Sequence, residues 1–209
     1  MENFNKVKSE AEQGNIEAQF ELGLLYARGN GVKKSYAIAS KWFNEAALRG
    51  STAAQNCLGM MYAFGRGVGR DYKRAINWFR KAAQLGNSNA QFNLACMYHN
   101  GMGIEQDYQE ALELYRAAAE QGDSAAQNNL GVMYRRGEGV EVDYGRALNA
   151  FKLASVQGDV KAQVNLGEMY EKGLGTPVDT ETALEFYKMA ASEDHPSAAA
   201  KILELTRKS

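Results

Sequence analysis

The sequence predicts an all-α chain, a right-handed αα superhelical solenoid built from 36-residue repeats. Three observations carry that expectation. Tyrosines stand at 26, 62, 98, 134 and 170 and glycines at 14, 50, 86, 122 and 158, each series 36 apart without an insertion. Within a period, apolar residues recur at helical spacing, as Ala126, Leu130, Met133 and Tyr134 do. Strand-like alternation is absent, and proline occurs only at Pro177 and Pro196, so little interrupts helices. A fixed period of this length marks stacked two-helix units, none of which buries its apolar face alone.

The elements follow in chain order. Residues 2–14 read as a lone second helix that caps the N-terminus, with Val7 at the position Phe43 holds in the first repeat. Five αα repeats come next, at 15–50, 51–86, 87–122, 123–158 and 159–194. In the first helix of four of them, a glycine such as Gly131 interrupts the apolar stripe, with Ala95 in its place in the third copy. The glycine costs about 1 kcal/mol of helix propensity against alanine and is tolerable where a neighbouring helix passes close. A G-x-G turn follows, Gly65/Gly67 in the second copy, where φ > 0 is needed. The second helix opens on Asp71, Asp107, Asp143 or Asp179 as N-cap (Ser35 in the first copy), and Asp107 with Glu110 has the spacing of a capping box. Ala147, Leu148, Phe151 and Ala154 then face inward, and Gly158 ends the helix as a C′ residue. Residues 195–209 keep the repeat frame but carry Leu203 for the helix glycine and Thr206 for the tyrosine, as a helix that no further unit covers can. The expectation is therefore one solenoid domain, 1–209, with about twelve helices: ten in five pairs and a cap at each end.

Several function classes fall away on composition. GRGVGR (65–70) has the look of a phosphate loop, yet its glycine pair occurs five times, and 19 of the 21 glycines belong to the repeat. A phosphate loop is needed once and follows a strand; these are turn residues. No run approaches the 18 apolar residues of a membrane span. The N-terminus has no signal-peptide core, so a cytoplasmic location is expected, or a periplasmic or secreted one if a leader was removed. Two cysteines and two histidines do not furnish a disulfide framework or a zinc site. No metal or cofactor is expected, and a net charge of −1 does not call for nucleic acid.

AQNNLGVMYRRGEGVEVDYGRALNAFKLASVQG (126–158) and AQNCLGMMYAFGRGVGRDYKRAINWFRKAAQLG (54–86), with three further copies, resemble the Sel1-like repeat family, a relative of the tetratricopeptide repeat. The resemblance covers about 195 residues. It implies a tetratricopeptide-like helical solenoid and a scaffold or adaptor that binds proteins, as in bacterial regulatory and envelope-associated members. A cysteine-rich branch of the family, associated with β-lactam binding or hydrolysis, carries a disulfide in each repeat, a pattern this sequence lacks. Ala95, Ser35 and Thr180 are departures from the repeat at single positions.

Chemistry-bearing constellations are sparse. Cys96 and His99, three apart on one helix face, are the sole nucleophile–base pair, without a third residue to orient it. Glu168 and Glu171 share a face but read as solvating carboxylates, and Trp42 and Trp78 as packing positions one period apart. No residue is therefore assigned to catalysis. The alternatives to a binding scaffold are a hydrolase of cell-wall-like or β-lactam substrates and a purely structural spacer.

Function in a solenoid sits where the period is not kept. By analogy with tetratricopeptide arches, first helices line the concave face, which gives three columns. They are Phe20, Asn56, Phe92, Asn128 and Val164; Leu24, Met60, Cys96, Val132 and Glu168; and Ala27, Ala63, His99, Arg135 and Glu171. Arg28, Phe64, Asn100, Arg136 and Lys172 lie beside the third. Asn56 and Asn128 are the candidates to grip a peptide backbone, because an amide both donates and accepts. Phe20, Phe64 and Phe92 are the candidate apolar pockets. The partner is expected to be a peptide or a protein, the chain itself monomeric or self-associating head to tail. Charge is polarised as well: residues 1–104 hold 13 Lys/Arg against 7 Asp/Glu, and residues 105–209 hold 11 against 18. Lys73 and Arg74 lie in the basic half, where a charged surface would steer an acidic partner.

Overall fold

What lets each chain segment reverse is a left-handed glycine placed just past a helix end. Gly65 takes φ 67°, and its amide and that of Arg66 both return to the carbonyl of Met61. The Asp71 amide then donates to the Tyr62 carbonyl at 2.9 Å, closing the turn, and the Asp71 side chain accepts from the Arg74 amide at 3.0 Å to open the next helix. Ser35, Asp107, Asp143 and Asp179 cap their helices the same way. In the third copy Asp107 accepts from both the Gln109 and Glu110 amides. First helices are capped too, by Asn15, Ser51, Asn87, Asp123 and Asp159.

The computed structural model describes residues 2–193 and 195–207. Of the expected boundaries, residues 1, 194, 208 and 209 lie outside the described residues. Among the described residues there are twelve helices and no strand: α1 (Glu2–Glu12), α2 (Ile16–Arg28), α3 (Tyr36–Leu48), α4 (Thr52–Phe64), α5 (Tyr72–Gln84), α6 (Ser88–Asn100), α7 (Tyr108–Glu120), α8 (Ser124–Arg136), α9 (Tyr144–Val156), α10 (Val160–Lys172), α11 (Thr180–Ser192) and α12 (Ala198–Thr206). Ten of them are the five expected pairs, each helix thirteen residues long, with α1 and α12 flanking.

The chain forms two units, Met1–Gln106 and Asp107–Ser209. In the first, α1 to α6 pack each against the next; in the second, α7 to α12 do so. The first unit centres on Ala39, Phe43, Ala46, Ala54, Leu58 and Met61, with Trp78 packed against them, and Val7 and Ala11 of α1 join Ala18 and Leu22. The second centres on Ala147, Phe151, Ala154, Leu166 and Met169, and Leu205 of α12 is buried beside Tyr187.

The helix glycine has a specific reason. A Cβ on Gly131 would lie 2.6 Å from Cε1 of Phe151, so α8 and α9 approach closely only because no side chain stands between them. A glutamine that keeps the period does a different job. Gln19, Gln55 and Gln127 are buried, and each donates its Nε2 to the carbonyl eight residues earlier, on the end of the preceding second helix. Each of those carbonyls, at its helix's C-terminal end, also accepts from the backbone amide of the glycine three residues on (Gly14, Gly50 and Gly122), so the glutamine serves its second lone pair.

Candidate functional site

The first-helix side chains that vary from copy to copy fall into two different environments. In the second unit they are tied to one another. Arg135 Nη1 lies 3.1 Å from Glu168 Oε2, with its guanidinium over the Phe151 ring, and Lys172 stands on the same carboxylate. Tyr187 donates its hydroxyl to Glu171 Oε2 at 2.6 Å, and Lys201 of α12 pairs with that oxygen at 3.4 Å. Burial, reinforced by the Glu171 and Glu168 carboxylates, pushes the Tyr187 hydroxyl far above the ordinary tyrosine value. These groups fasten α12 to α10 and α11.

The two asparagines expected to grip a peptide are engaged as well. Asn93 donates to Asn56 Oδ1 at 2.9 Å, and Asn165 donates to Asn128 Oδ1 at 2.8 Å, each pair linking successive first helices. Asn128 is 4% exposed and Asn56 half-buried. The amides act first as rungs between repeats. Asn128 is buried because residues at this position face the next first helix, a distinction that column spacing does not make. Phe20 is half-buried, its ring tilted against Phe43, and Phe92, Cys96 and His99 are half-buried on α6. The Cys96 and His99 carbonyls accept from the Asn100 and Gln106 side-chain amides.

The first unit differs. There, α2, α3 and α4 border a half-open pocket of about 260 Å³. Leu24, Cys57, Met60, Met61 and Phe43 form its apolar wall, and Phe64, 65% exposed, stands at its edge. Arg28 ends α2, and Arg66 reaches in from the glycine turn, its guanidinium 5.4 Å from the Phe64 ring centroid and 6.0 Å from that of Tyr36. No carboxylate lines the pocket, and among the described residues neither guanidinium has one within 4 Å. Burial raises the Cys57 thiol to about 11, partly opposed by the Arg28 charge. Cys57 is thus a neutral wall group at physiological pH. A cavity of about 320 Å³ in the second unit is lined by both signs of charge, Arg116 and Glu120, beside Leu130 and Tyr134.

Of the expected site residues, the structure gathers Met60 and Phe64 with Leu24 and Arg28. It adds Tyr36, Cys57, Met61 and Arg66, which the columns did not include. Cys57 carried a signal: the same position is Asn93, Asn129 and Asn165 in later copies. Lys73 and Arg74 are exposed at the start of α5, where Arg74 is held by Asp71 at 3.3 Å and lies over the Tyr62 ring. Among the described residues no group of three or more His, Cys, Asp or Glu is placed to hold a metal ion, and no helix is long and apolar enough to cross a membrane.

A family model described as Sel1 repeat matches residues 16–51, 52–87, 88–123, 124–159 and 160–195, one residue later than the repeat frame set by the glycines. A solved Sel1 repeat protein from Oxalobacter formigenes is 36% identical with a TM-score of 0.86, covering 91% of this chain and 76% of its own. A protective antigen present in uropathogenic Escherichia coli strains, displaying an SLR fold, is 31% identical with a TM-score of 0.81; 95% of this chain spans half of that one. A putative Sel1 repeat protein from Klebsiella pneumoniae, 22% identical over 97% of this chain and 99% of its own, shares the fold at a TM-score of 0.62. No curated protein matches the chain.

Proposed function

The chain belongs to the Sel1 repeat family, whose members generally serve as protein-interaction scaffolds, and we propose that it is a non-catalytic module that holds a peptide or partner protein on its first-helix face. The observation that carries this reading is the pocket between α2 and α4. An exposed phenylalanine, an exposed methionine and two arginines with no carboxylate within 4 Å among the described residues border an apolar recess there. The equivalent polar groups on α8 and α10 are consumed by Arg135–Glu168 and by Asn128–Asn165. Aromatic residues, methionine and arginine are the side chains enriched in protein interfaces relative to the rest of the surface.

A pull-down from the native cell tests the reading. Met60→Ser plus Phe64→Ser removes the exposed apolar rim while leaving the buried core residues in place. Loss of the partner recovered by the unaltered protein, with an unchanged far-ultraviolet circular dichroism spectrum, is the expected result. Undiminished recovery contradicts the reading. Lys73 and Arg74 belong to it as a steering surface: Lys73→Glu plus Arg74→Glu is expected to slow association more than it changes dissociation, with the difference shrinking as salt screens the charges.

A further inference from the structure

We propose that the pocket between α2 and α4 takes one apolar side chain from an acidic segment of a partner protein, with Arg28 and Arg66 receiving carboxylates on either flank of that anchor. The inference rests on the reading of the first-helix face as the binding surface and adds the chemistry of what binds.

Size comes first. At about 260 Å³ the recess falls below the range of roughly 300–1,000 Å³ usual for sites that enclose a cofactor or drug-sized ligand. It suits a single leucine, methionine or phenylalanine side chain. Its wall offers no carboxylate, amide or hydroxyl acceptor apart from the Tyr36 ring's own hydroxyl, so nothing in it reads a polar or base edge. Met60 and Met61 line it with unbranched, adaptable side chains that reshape around an incoming group.

Charge selects the flanks. Arg66 is exposed, and its guanidinium lies 5.4 Å and 6.0 Å from the Phe64 and Tyr36 ring centroids, within cation–π reach of both. A planar fork of donors matches a carboxylate bidentately, in a way a lysine does not. Arg28 stands at the same recess, close enough for its charge to pull down the Cys57 thiol. The surrounding unit repeats the sign on a larger scale: residues 1–106 carry 13 Lys/Arg against 8 Asp/Glu. A nucleic acid would instead need a run of stacking rings along a basic groove, and two guanidiniums around one apolar recess do not make one.

The test uses the full chain labelled with carbon-13 at the methionine methyls, so that Met60 and Met61 report from the pocket while Met97, Met133, Met169 and Met189 serve as internal controls. Three blocked peptides are titrated: Glu-Glu-Leu-Glu-Glu, Glu-Glu-Ala-Glu-Glu and Lys-Lys-Leu-Lys-Lys, with a ten-residue oligothymidine as a fourth probe. The acidic leucine peptide is expected to shift Met60 and Met61 saturably. The alanine and lysine peptides, and the acidic peptide with Arg28→Glu plus Arg66→Glu protein, are expected to bind at least about tenfold more weakly, a loss typical of removing an interface anchor. Equal binding of the lysine peptide, an acidic peptide that leaves Met60 and Met61 unmoved, or saturable shifts of the same methyls by oligothymidine overturns the proposal. If partner recovery still depends on Met60 and Phe64 while no acidic peptide moves the methyls, the acidic-anchor inference falls and the interaction reading stands. If recovery does not depend on them, the reading itself falls.

Discussion

Replacing Gly131 by alanine puts two opposed effects on one atom. In an isolated helix the change would stabilise by about 1 kcal/mol, because glycine pays more backbone entropy. Here the added Cβ would stand 2.6 Å from Cε1, 2.7 Å from Cδ1 and 3.0 Å from Cζ of Phe151, a ring with no exposed surface. Carbon atoms pack at about 3.5–4.0 Å, so the ring or the helix must retreat by roughly 1 Å. Overpacking of a closed core costs about 1–3 kcal/mol, and three contacts of 3.0 Å or less put this one in the upper part of that range, about 2–3 kcal/mol, which outweighs the propensity gain. A net loss of about 1–2 kcal/mol is therefore expected. Shrinking the ring should reverse the sign: in a Phe151→Leu background the same Gly131→Ala change is expected to stabilise by about 0.5–1 kcal/mol. Urea unfolding followed by far-ultraviolet circular dichroism, compared at unchanged m, measures the four corners of the cycle. A Gly131→Ala protein as stable as the parent, or an equal loss in both backgrounds, refutes the idea that the glycine is there for the ring.

Two further perturbations separate backbone strain from steric contact and locate a thiol. Gly139 (φ 70°) and Gly158 (φ 84°) both need left-handed backbone, but a Cβ on Gly139 would lie 2.6 Å from the Tyr108 carbonyl oxygen, whereas one on Gly158 meets nothing within 4 Å. Gly158→Ala is expected to cost about 1–2 kcal/mol and Gly139→Ala measurably more in the same unfolding assay; equal losses contradict the packing role of the second turn glycine. Cys57, raised to about 11 by burial, is expected to alkylate with iodoacetamide at pH 8 roughly two hundredfold slower than an ordinary thiol of pKa near 8.5, gaining tenfold per pH unit up to its own value. Peptide-resolved mass spectrometry reads this, and Arg28→Gln should slow it further.

Much of the architecture was legible because the period is written in residues whose chemistry is local. A turn glycine, an N-cap aspartate and a tyrosine each announce their position without reference to the rest of the chain, and the helices begin and end where these residues place them. The buried glutamines were not read from the sequence, although a signal was there: a polar residue such as Gln55 that keeps the period as strictly as a core leucine fits an internal hydrogen bond, in this case to the Ala47 carbonyl. The candidate site was only partly readable. Spacing puts Asn56 and Asn128 on one helix face but does not say whether that face meets solvent or the next helix, and the amide pairs to Asn93 and Asn165 depend on that difference. Arg66 belongs to a turn, so no helical period predicts that its guanidinium comes to lie over Phe64 and Tyr36. The pairing of Arg135 with Glu168 joins variable positions 33 residues apart, which a repeat frame treats as independent.

The most direct test of the interaction account is amide hydrogen exchange on the complex of this chain with the partner recovered from its native cell. The account predicts that protection gained on binding concentrates in peptides from α2 and α4, residues 16–28 and 52–64, and in the turn that carries Arg66. Protection confined to α3 and α5, with the first helices unchanged, would place the partner on the opposite face and contradict it.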